Sequence, residues 1–533
     1  MEQRKSWEEV REYTPDQLHI AAVVLDDVRA GMDVLKAIRS HPLPEGGYVG
    51  KHVLVWVLRQ QAKNNGEKPD PGMLRKVRMK PGRTLSGVTT VTVLTKPHPC
   101  PGHCIFCPDA ACMPKSYLPD EPGAMRGVQH DFDPFDQTAS RLDALEAIGH
   151  PTDKIELLIL GGTWSAYPHA YQEEFIRRCL DAMNSRDATS LEEAQHWNET
   201  AEHKNVGMVL ETRPDSVDRD EMKRMRRLGA TKVQMGVQSL DDHILDLNRR
   251  GHSVADSRQA VRLLRAAGFK IVLHWMPNLL GATLESDRED FLRLWQDEDM
   301  RPDELKIYPT QLLETAELYH YWQRGEYQPY TTRELIDLIV ELKQSIPRYC
   351  RVNRVIRDIP SDNVVAGNKR TSLRQDIQAE LKQRGLRCEC IRCREVRGRP
   401  VEPDDLQLDD LVYKAGGAEE HFFSYNTDDD LVAGYLRLSL PGASSPDTGL
   451  EDLEGAAIIR EVHIYGQSLS LGRVAEGAAQ HAGLGSELIQ RAEAVAREAG
   501  FPRMAIIAAL GTRGYYRRLG YTLGDTYMIK ALT

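Results

Sequence analysis

No apolar run in this chain approaches the roughly 20 residues of a membrane-spanning helix, so no helical membrane span is expected. The opening stretch, Met1-Glu-Gln-Arg-Lys-Ser-Trp-Glu-Glu, has no apolar core and does not read as a signal peptide. Cysteine is sparse at nine in 533 residues, and six of those nine fall in two tight clusters. That distribution speaks against a disulfide framework and for metal binding in a reducing compartment, so a cytoplasmic protein is expected. The net charge of −10 excludes little, because the charge is uneven. Between Lys51 and Lys96 ten basic residues, Lys76, Arg78, Lys80 and Arg83 among them, stand against only Glu67 and Asp70. Such a block suits a polyanion-binding surface, and equally a solvated lysine-rich face.

What is there begins with Cys100, Cys104 and Cys107, spaced C-x3-C-x2-C and followed by Pro108. Three thiolates on one short loop can hold three irons of a [4Fe–4S] cluster and leave the fourth open to a substrate. A closed ferredoxin-type cluster needs a fourth cysteine, and Cys112 is the only local candidate. A zinc knuckle and buried structural cysteines are the alternative readings. The spacing resembles that of the radical SAM superfamily, whose open iron chelates S-adenosylmethionine, and a radical SAM cluster is the reading adopted.

The length allows roughly three domains. Residues 1–75 read as a polar helical region. From 76 to 345 strand and helix patterns alternate, with strands expected at 88–94, 155–160, 206–211, 232–237, 270–274 and 304–308. This pattern predicts an α/β fold with a partial parallel (β/α) barrel, whose chemistry lies at the C-terminal strand ends. Gly161, Gly162 and Thr163, then Glu211 and Arg213, then Gln238 fall at successive strand ends of this kind. Paired glycines admit a close ligand, and Glu211 and Arg213 can take the two ends of a zwitterion.

Residues 346–410 read as a basic connector carrying Arg351, Arg354 and Arg357, then Cys388, Cys390 and Cys393 at C-x-C-x2-C. A structural zinc needs a fourth ligand, for which Cys350 and His421 are candidates; free thiols are the alternative. From 411 to 533 short strands and glycine-rich turns return. Gln480, Gly483, Leu484, Gly485 and Ser486 form a Q-x-x-G-x-G turn before a helix expected at 487–499. A helix N-terminus there offers free N–H groups to a pyrophosphate. The turn resembles that of the GNAT acyltransferases, and Tyr515, Tyr516 and Tyr521 resemble their late helix–turn–strand.

A radical SAM barrel joined to a GNAT domain is an uncommon pairing. With the stretches Lys80 to Val88, Pro114 to Arg126, Glu211 to Asp215, Leu247 to His252 and Leu305 to Thr310, it resembles the catalytic subunit of Elongator in a stand-alone prokaryotic form. The resemblance implies formation of 5-carboxymethyluridine at the tRNA wobble position from acetyl-CoA. S-adenosylmethionine would yield a 5′-deoxyadenosyl radical that takes a hydrogen from the acetyl methyl group. The carbon radical would add to C5 of uridine, and thioester hydrolysis would leave the product. Lys154, Glu461, His463, Tyr515 and Tyr516 match the family's acyl-site residues; Lys154, Glu461, Val462, His463, Ile464 and Tyr516 would contact acetyl-CoA. The basic residues Lys76, Arg78, Lys80, Arg83, Arg351, Arg354 and Arg357 would contact the anticodon stem-loop. An external electron donor is implied and no membrane partner; whether the chain forms a homodimer stays open.

Departures from the family pattern are Pro108-Asp-Ala after the last cluster cysteine, Gly514 before the tyrosine pair, and Leu313-Glu-Thr after Thr310 and Gln311. Two other functions compete: a protein lysine acetyltransferase that uses the barrel as scaffold, and a tRNA-binding protein with a structural cluster.

Overall fold

The structure, a computed structural model, describes residues 12–397, 399, 401–465 and 483–532. Gln480 and the opening Met1 to Glu9 stretch lie outside the described residues. Helices Pro15–Arg29, Val34–Ser40, Lys51–Asn64 and Pro71–Val77 form an N-terminal bundle around Val24, Leu25, Val28, Leu54, Val55 and Leu58. Thr14 and Gln17 close its first helix with a reciprocal capping box, which satisfies backbone donors that would otherwise be orphaned. Among the described residues no helix is long and apolar enough to cross a membrane.

Seven parallel strands follow: β1 Thr89–Leu94, β2 Lys154–Leu160, β3 Lys204–Thr212, β4 Lys232–Gln238, β5 Lys270–Trp275, β6 Glu304–Ile307 and β7 Arg351–Arg354. Each pairs with the next in chain order, and β1 and β7 remain unpaired edges among the described residues. This is the expected partial barrel. Its outer face is apolar: Ile155, Leu157 and Ile159 on β2 pack with Phe175 and Ile176 of the following helix. Strand β7 falls in the stretch read as a connector.

The second sheet is built from β8 Gln407–Ala415, β9 Ala418–Asn426, β10 Val432–Pro441, β11 Ala456–Ile464, β12 Arg503–Ile506, β13 Thr522–Leu523 and β14 Met528–Ala531. Its order is β13-β14-β12-β11-β10-β9-β8, antiparallel except for β11 beside β12. That parallel pairing covers only Ala456 to Ile459, so the rest of β11 has no strand partner on this side. A bulge at Arg437/Leu438 re-aims β11 at the same level. The helix Leu484–Glu498 starts beside the gap, where a Cβ on Gly485 would lie 3.6 Å from Ile464.

The second sheet docks under the strand-start end of the barrel. Arg460 is fully buried and donates to Asp303 Oδ1 at 3.0 Å, to Glu420 Oε2 at 2.8 Å and to the Phe269 carbonyl at 2.9 Å. Arg226 reaches the carbonyls of Ala508 and Thr526, and Tyr527 donates to the Ala267 carbonyl at 2.7 Å. Buried charge is tolerable only when paired in this way. The cluster loop follows β1 and so lies at the opposite, strand-finish end.

Candidate active site

The upper end is organised by the loop after β1. Tyr167 ties it down, exchanging a hydrogen bond with Thr95 at 2.8 Å and donating to the Lys96 carbonyl at 2.7 Å. Gly161 has φ of 125° and a Cβ there would overlap Thr95 Oγ1, so only glycine fits. Its part is to close the turn; Gly162 and Thr163 beside it line the cavity. Thr163 Oγ1 lies 3.5 Å from Cys100 Sγ.

Arg250, without a role expected from its spacing, donates from Nη1 to Cys104 Sγ at 3.3 Å and from Nη2 to the Gly236 carbonyl at 2.6 Å. The Cys104 thiol is drawn down to about 5, first by its hydrogen bond with Cys107 and then by Arg250 and Arg213 against the opposing effect of burial. The same contact, with burial, pushes the Cys107 thiol up. Arg213 is buried, bonds Asp215 at 2.9 Å and the Arg250 carbonyl at 2.8 Å, and keeps Nη1 without a partner. A Cβ on Gly102 would overlap that nitrogen, so glycine makes room for it. Gln238 sits at φ of 71° with a buried Oε1 also unengaged. Buried polar atoms without partners are costly, and a polar ligand would satisfy these two. The upper end therefore fits a cluster with a zwitterion beside it.

The lower end lies between the domains. Burial pushes the Glu461 carboxyl up, but Lys270 and Arg437 more than reverse this and hold it at about 2. Lys270 bonds one oxygen of Glu461, with Tyr435 donating to the same oxygen at 2.9 Å, and Arg437 donates to the other at 2.9 Å. Glu461 is thus an anchored carboxylate rather than a free base. His463 stacks on Tyr435 and meets Tyr465 at a tilt, its Nε2 is buried and unengaged, and desolvation lowers it to about 4. Tyr516 is buried, and burial raises its phenol. Tyr515 Oη is 3.3 Å from Ser486 Oγ, joining the tyrosine pair to the helix start. Gly483 at φ of 82° opens that helix, and Leu484 is buried behind it. Lys154 begins β2 on the same strand face as Glu156, and desolvation lowers its ammonium.

One cavity of about 770 Å³ joins the two ends. Cys100, Cys104, Cys107, Glu211, Arg213 and Gln238 line its top; Glu461, Val462, His463 and Tyr516 line its base. Between them stand Glu156, Lys232, Lys270 and Glu304. Lys232 bridges Glu156 at 2.7 Å and Glu304 at 3.2 Å, while Lys270 lies 3.6 Å from Glu304. His274 meets Gln234 at 3.2 Å, and Asn353 donates to Glu304 at 2.6 Å.

The basic residues divide. Lys76, Lys80 and Arg83 are exposed, whereas Arg78 is buried and donates to Thr84 at 2.7 Å. Arg351 pairs with Glu395, Arg354 with Asp358 at 2.7 Å and Arg357 with Glu121 at 2.8 Å, and all three line the cavity. Cys388, Cys390 and Cys393 bring their sulfurs within 4.8 Å of one another, and among the described residues they alone make such a group. Cys350 and His421 are not in it, and His421 bonds Asp410 instead. Lys343 Nζ lies 4.0 Å from Cys393 Sγ.

Residues 98–294 match the Radical SAM superfamily and residues 302–383 the Radical_SAM C-terminal domain. The chain is 44% identical over 457 residues to the tRNA uridine(34) acetyltransferase of Dehalococcoides mccartyi, covering 84% of this chain and 99% of that one. It is 39% identical over 523 residues to that of Methanocaldococcus jannaschii, covering 95% of each. Elongator complex protein 3 of Mus musculus is 37% identical over 478 residues, covering 86% of this chain and 87% of that one. Among solved structures, the archaeal Methanocaldococcus infernus Elp3 with an N-terminal deletion superposes with a TM-score of 0.73 at 38% identity, over 84% of this chain and 99% of that one.

Proposed function

Because this chain belongs to the family of the tRNA uridine(34) acetyltransferases and Elongator complex protein 3, we propose that it converts the tRNA wobble uridine to 5-carboxymethyluridine with acetyl-CoA and S-adenosylmethionine. The observation that carries this reading is the single cavity, lined by cluster thiols at one end and acyl-site residues at the other. A lysine acetyltransferase has no use for the upper end.

When bound, the cluster and S-adenosylmethionine supply the one-electron chemistry. Cys100, Cys104 and Cys107 would hold the irons, with Cys104 already favouring the thiolate that ligation requires. The unengaged Arg213 Nη1 and Gln238 Oε1 would take the carboxylate and ammonium of S-adenosylmethionine, with Gly162, Thr163 and Glu211 completing the wall. At the base, the strand partner that β11 lacks beyond Ile459 leaves room for a pantetheine arm, and Gly483 to Ser486 would receive its pyrophosphate. His463 is neutral near pH 7 and can accept a proton from the water that opens the thioester. Tyr516 stays protonated and can donate to the thioester oxygen. Exposed Lys76, Lys80 and Arg83, together with the cavity-wall arginines, would meet tRNA phosphates. Cys388, Cys390 and Cys393 would hold a structural zinc. An external donor would reduce the cluster.

The test is anaerobic turnover of reconstituted protein with reductant, S-adenosylmethionine, methyl-labelled acetyl-CoA and unmodified tRNA, followed by mass spectrometry of the nucleosides. Label in 5-carboxymethyluridine is expected. Deoxyadenosine without labelled uridine points to a different acceptor, and neither product would return the barrel to a scaffold role.

A further inference from the structure

The arginines of the cavity wall are of two kinds. Arg351, Arg354 and Arg357 each lie against a carboxylate, on Glu395, Asp358 and Glu121 in turn. Arg83, Arg126 and Arg141 line the same cavity, yet among the described residues none of the three meets a carboxylate. They come from separate elements: the helical turn Pro81–Thr84, the helix Pro122–Gln129 and the helix Pro134–Ala147, all packed on the edge strand β1. Arg126 Nη1 donates to the Pro122 carbonyl at 2.6 Å, and its buried Nε has no acceptor. Glu121, at the head of that helix, is already held by Arg357 and by the Leu118 N–H at 3.0 Å.

Burial, then Arg126 and Arg83, bring the Arg141 guanidinium down to about 10, and burial, then Arg83, lower that of Arg126. Thr84 extends the group, accepting from Arg78 at 2.7 Å and lying 2.9 Å from His150 Nδ1. Arg78 Nε and His150 Nε2 are buried and unengaged. Like charges gathered on a wall without a counter-charge destabilise one another, and a bound anion reverses that.

We propose that Arg83, Arg126 and Arg141 form a seat for one phosphate of the RNA backbone, holding the strand where the wobble nucleotide enters the cavity. Guanidiniums donate in pairs to phosphate oxygens, and three on separate elements grip one group from several sides. Exposed Lys76 and Lys80 precede Arg83, so the seat continues the basic surface into the cavity. The choice of RNA rests on the function proposed above; the phosphate chemistry does not. The coenzyme also carries phosphates, so the test separates the two carriers.

The test uses the full-length protein and an anticodon stem-loop RNA. One linkage at a time beside the wobble uridine is replaced by a neutral methylphosphonate, and fluorescence anisotropy reads the affinity. With the wild type, one such replacement should weaken binding about tenfold. Arg141→Gln should weaken binding of the unsubstituted RNA by a similar factor and make it indifferent to that replacement. Arg126→Gln should do the same, so the result does not hang on one variant. Equal sensitivity in wild type and variants overturns the seat. Calorimetry with coenzyme A is the second arm: variants that lose coenzyme affinity but keep RNA affinity assign the phosphate to the coenzyme and overturn the proposal. Thermal unfolding without RNA separates a seat from a structural role. Arg141→Gln relieves repulsion and should melt above the wild type; a lower melting temperature would make Arg141 structural and remove it from the seat. None of these measurements needs S-adenosylmethionine or acetyl-CoA. A failed modification reaction therefore leaves them standing, and their failure leaves the chemistry at the cluster untouched.

Discussion

The two ends of the cavity are built by opposite means. At the top, one loop and the finishing residues of neighbouring strands assemble thiols, a guanidinium and two polar atoms that have no protein partner. At the base, two sheets meet, and nearly every charge is already spent on another: Glu461 on Lys270 and Arg437, Asp303 on Arg460. Unspent polar groups mark a place prepared for a ligand, whereas spent ones mark a joint. Among the cavity-lining residues of the base, His463 keeps an unengaged Nε2, and within the joint single atoms of Glu420 and Arg460 also lack hydrogen-bond partners although both side chains are paired. The lesson is that the upper end should respond to substitution in chemistry and the lower end first in stability.

The largest effect is expected at the top. Cys104→Ser should abolish S-adenosylmethionine cleavage while tRNA affinity, measured by gel shift, stays near that of the wild type. Collapse of both together would mean that the cluster is architectural, and the contrast between the ends would break. Next comes the joint. Asp303→Asn leaves Arg460, Arg265 and Arg437 facing no carboxylate at that point, with Arg265 and Arg437 within 3.7 and 3.5 Å of it. Removing one partner of such a buried group costs about 3–5 kcal/mol. Denaturant unfolding followed by circular dichroism should register that loss, and a change under about 1 kcal/mol would show that the interface is better hydrated than its burial implies.

The same contrast explains what the sequence disclosed. The cluster loop is contiguous, so its cysteine spacing could be read directly, and the strand-end motifs stood next to strands whose β-branched runs marked them. The core of the partial barrel was legible for that reason, with six of its strands placed near their observed bounds. Arg250 was not, because an arginine beside Arg249 looks like any surface pair until the fold turns it onto Cys104. Strand β7 was missed because Arg351-Val-Asn-Arg has only one apolar residue and reads as basic connector; pairing with β6 overrides that propensity. Arg351, which opens β7, and Arg357 beyond it, read as phosphate contacts, do line the cavity but also hold Glu395 and Glu121. The charged lumen left a signal that could have been used. Glu156, Lys232, Lys270 and Glu304 interrupt strands that, in a sheet covered on both faces, should be continuously apolar.

The smallest effect expected is a pH dependence that belongs to the joint and its surroundings. His463 is held at about 4 by burial, and His150, beneath the N-terminal bundle, is likewise lowered to about 4 by burial and by Arg78. In the unfolded chain both return to the ordinary value of 6.5. Between pH 6.5 and 4 the unfolded state therefore binds protons that the folded state refuses, so stability falls as pH is lowered through that window. Below it the two histidines protonate in the fold and their slope ends. Glu461 acts lower down, since its carboxyl is held at about 2 against an ordinary 4.5. Its contribution is complete above pH 4.5 and is lost as pH falls toward 2. Acidification should thus act in two stages, histidine first and carboxylate second. His463→Gln should flatten the upper stage and spare the lower one in unfolding free energies measured against pH. An unchanged upper stage would mean that His463 is already hydrated in the fold, and the base of the cavity would then be as open to water as its top.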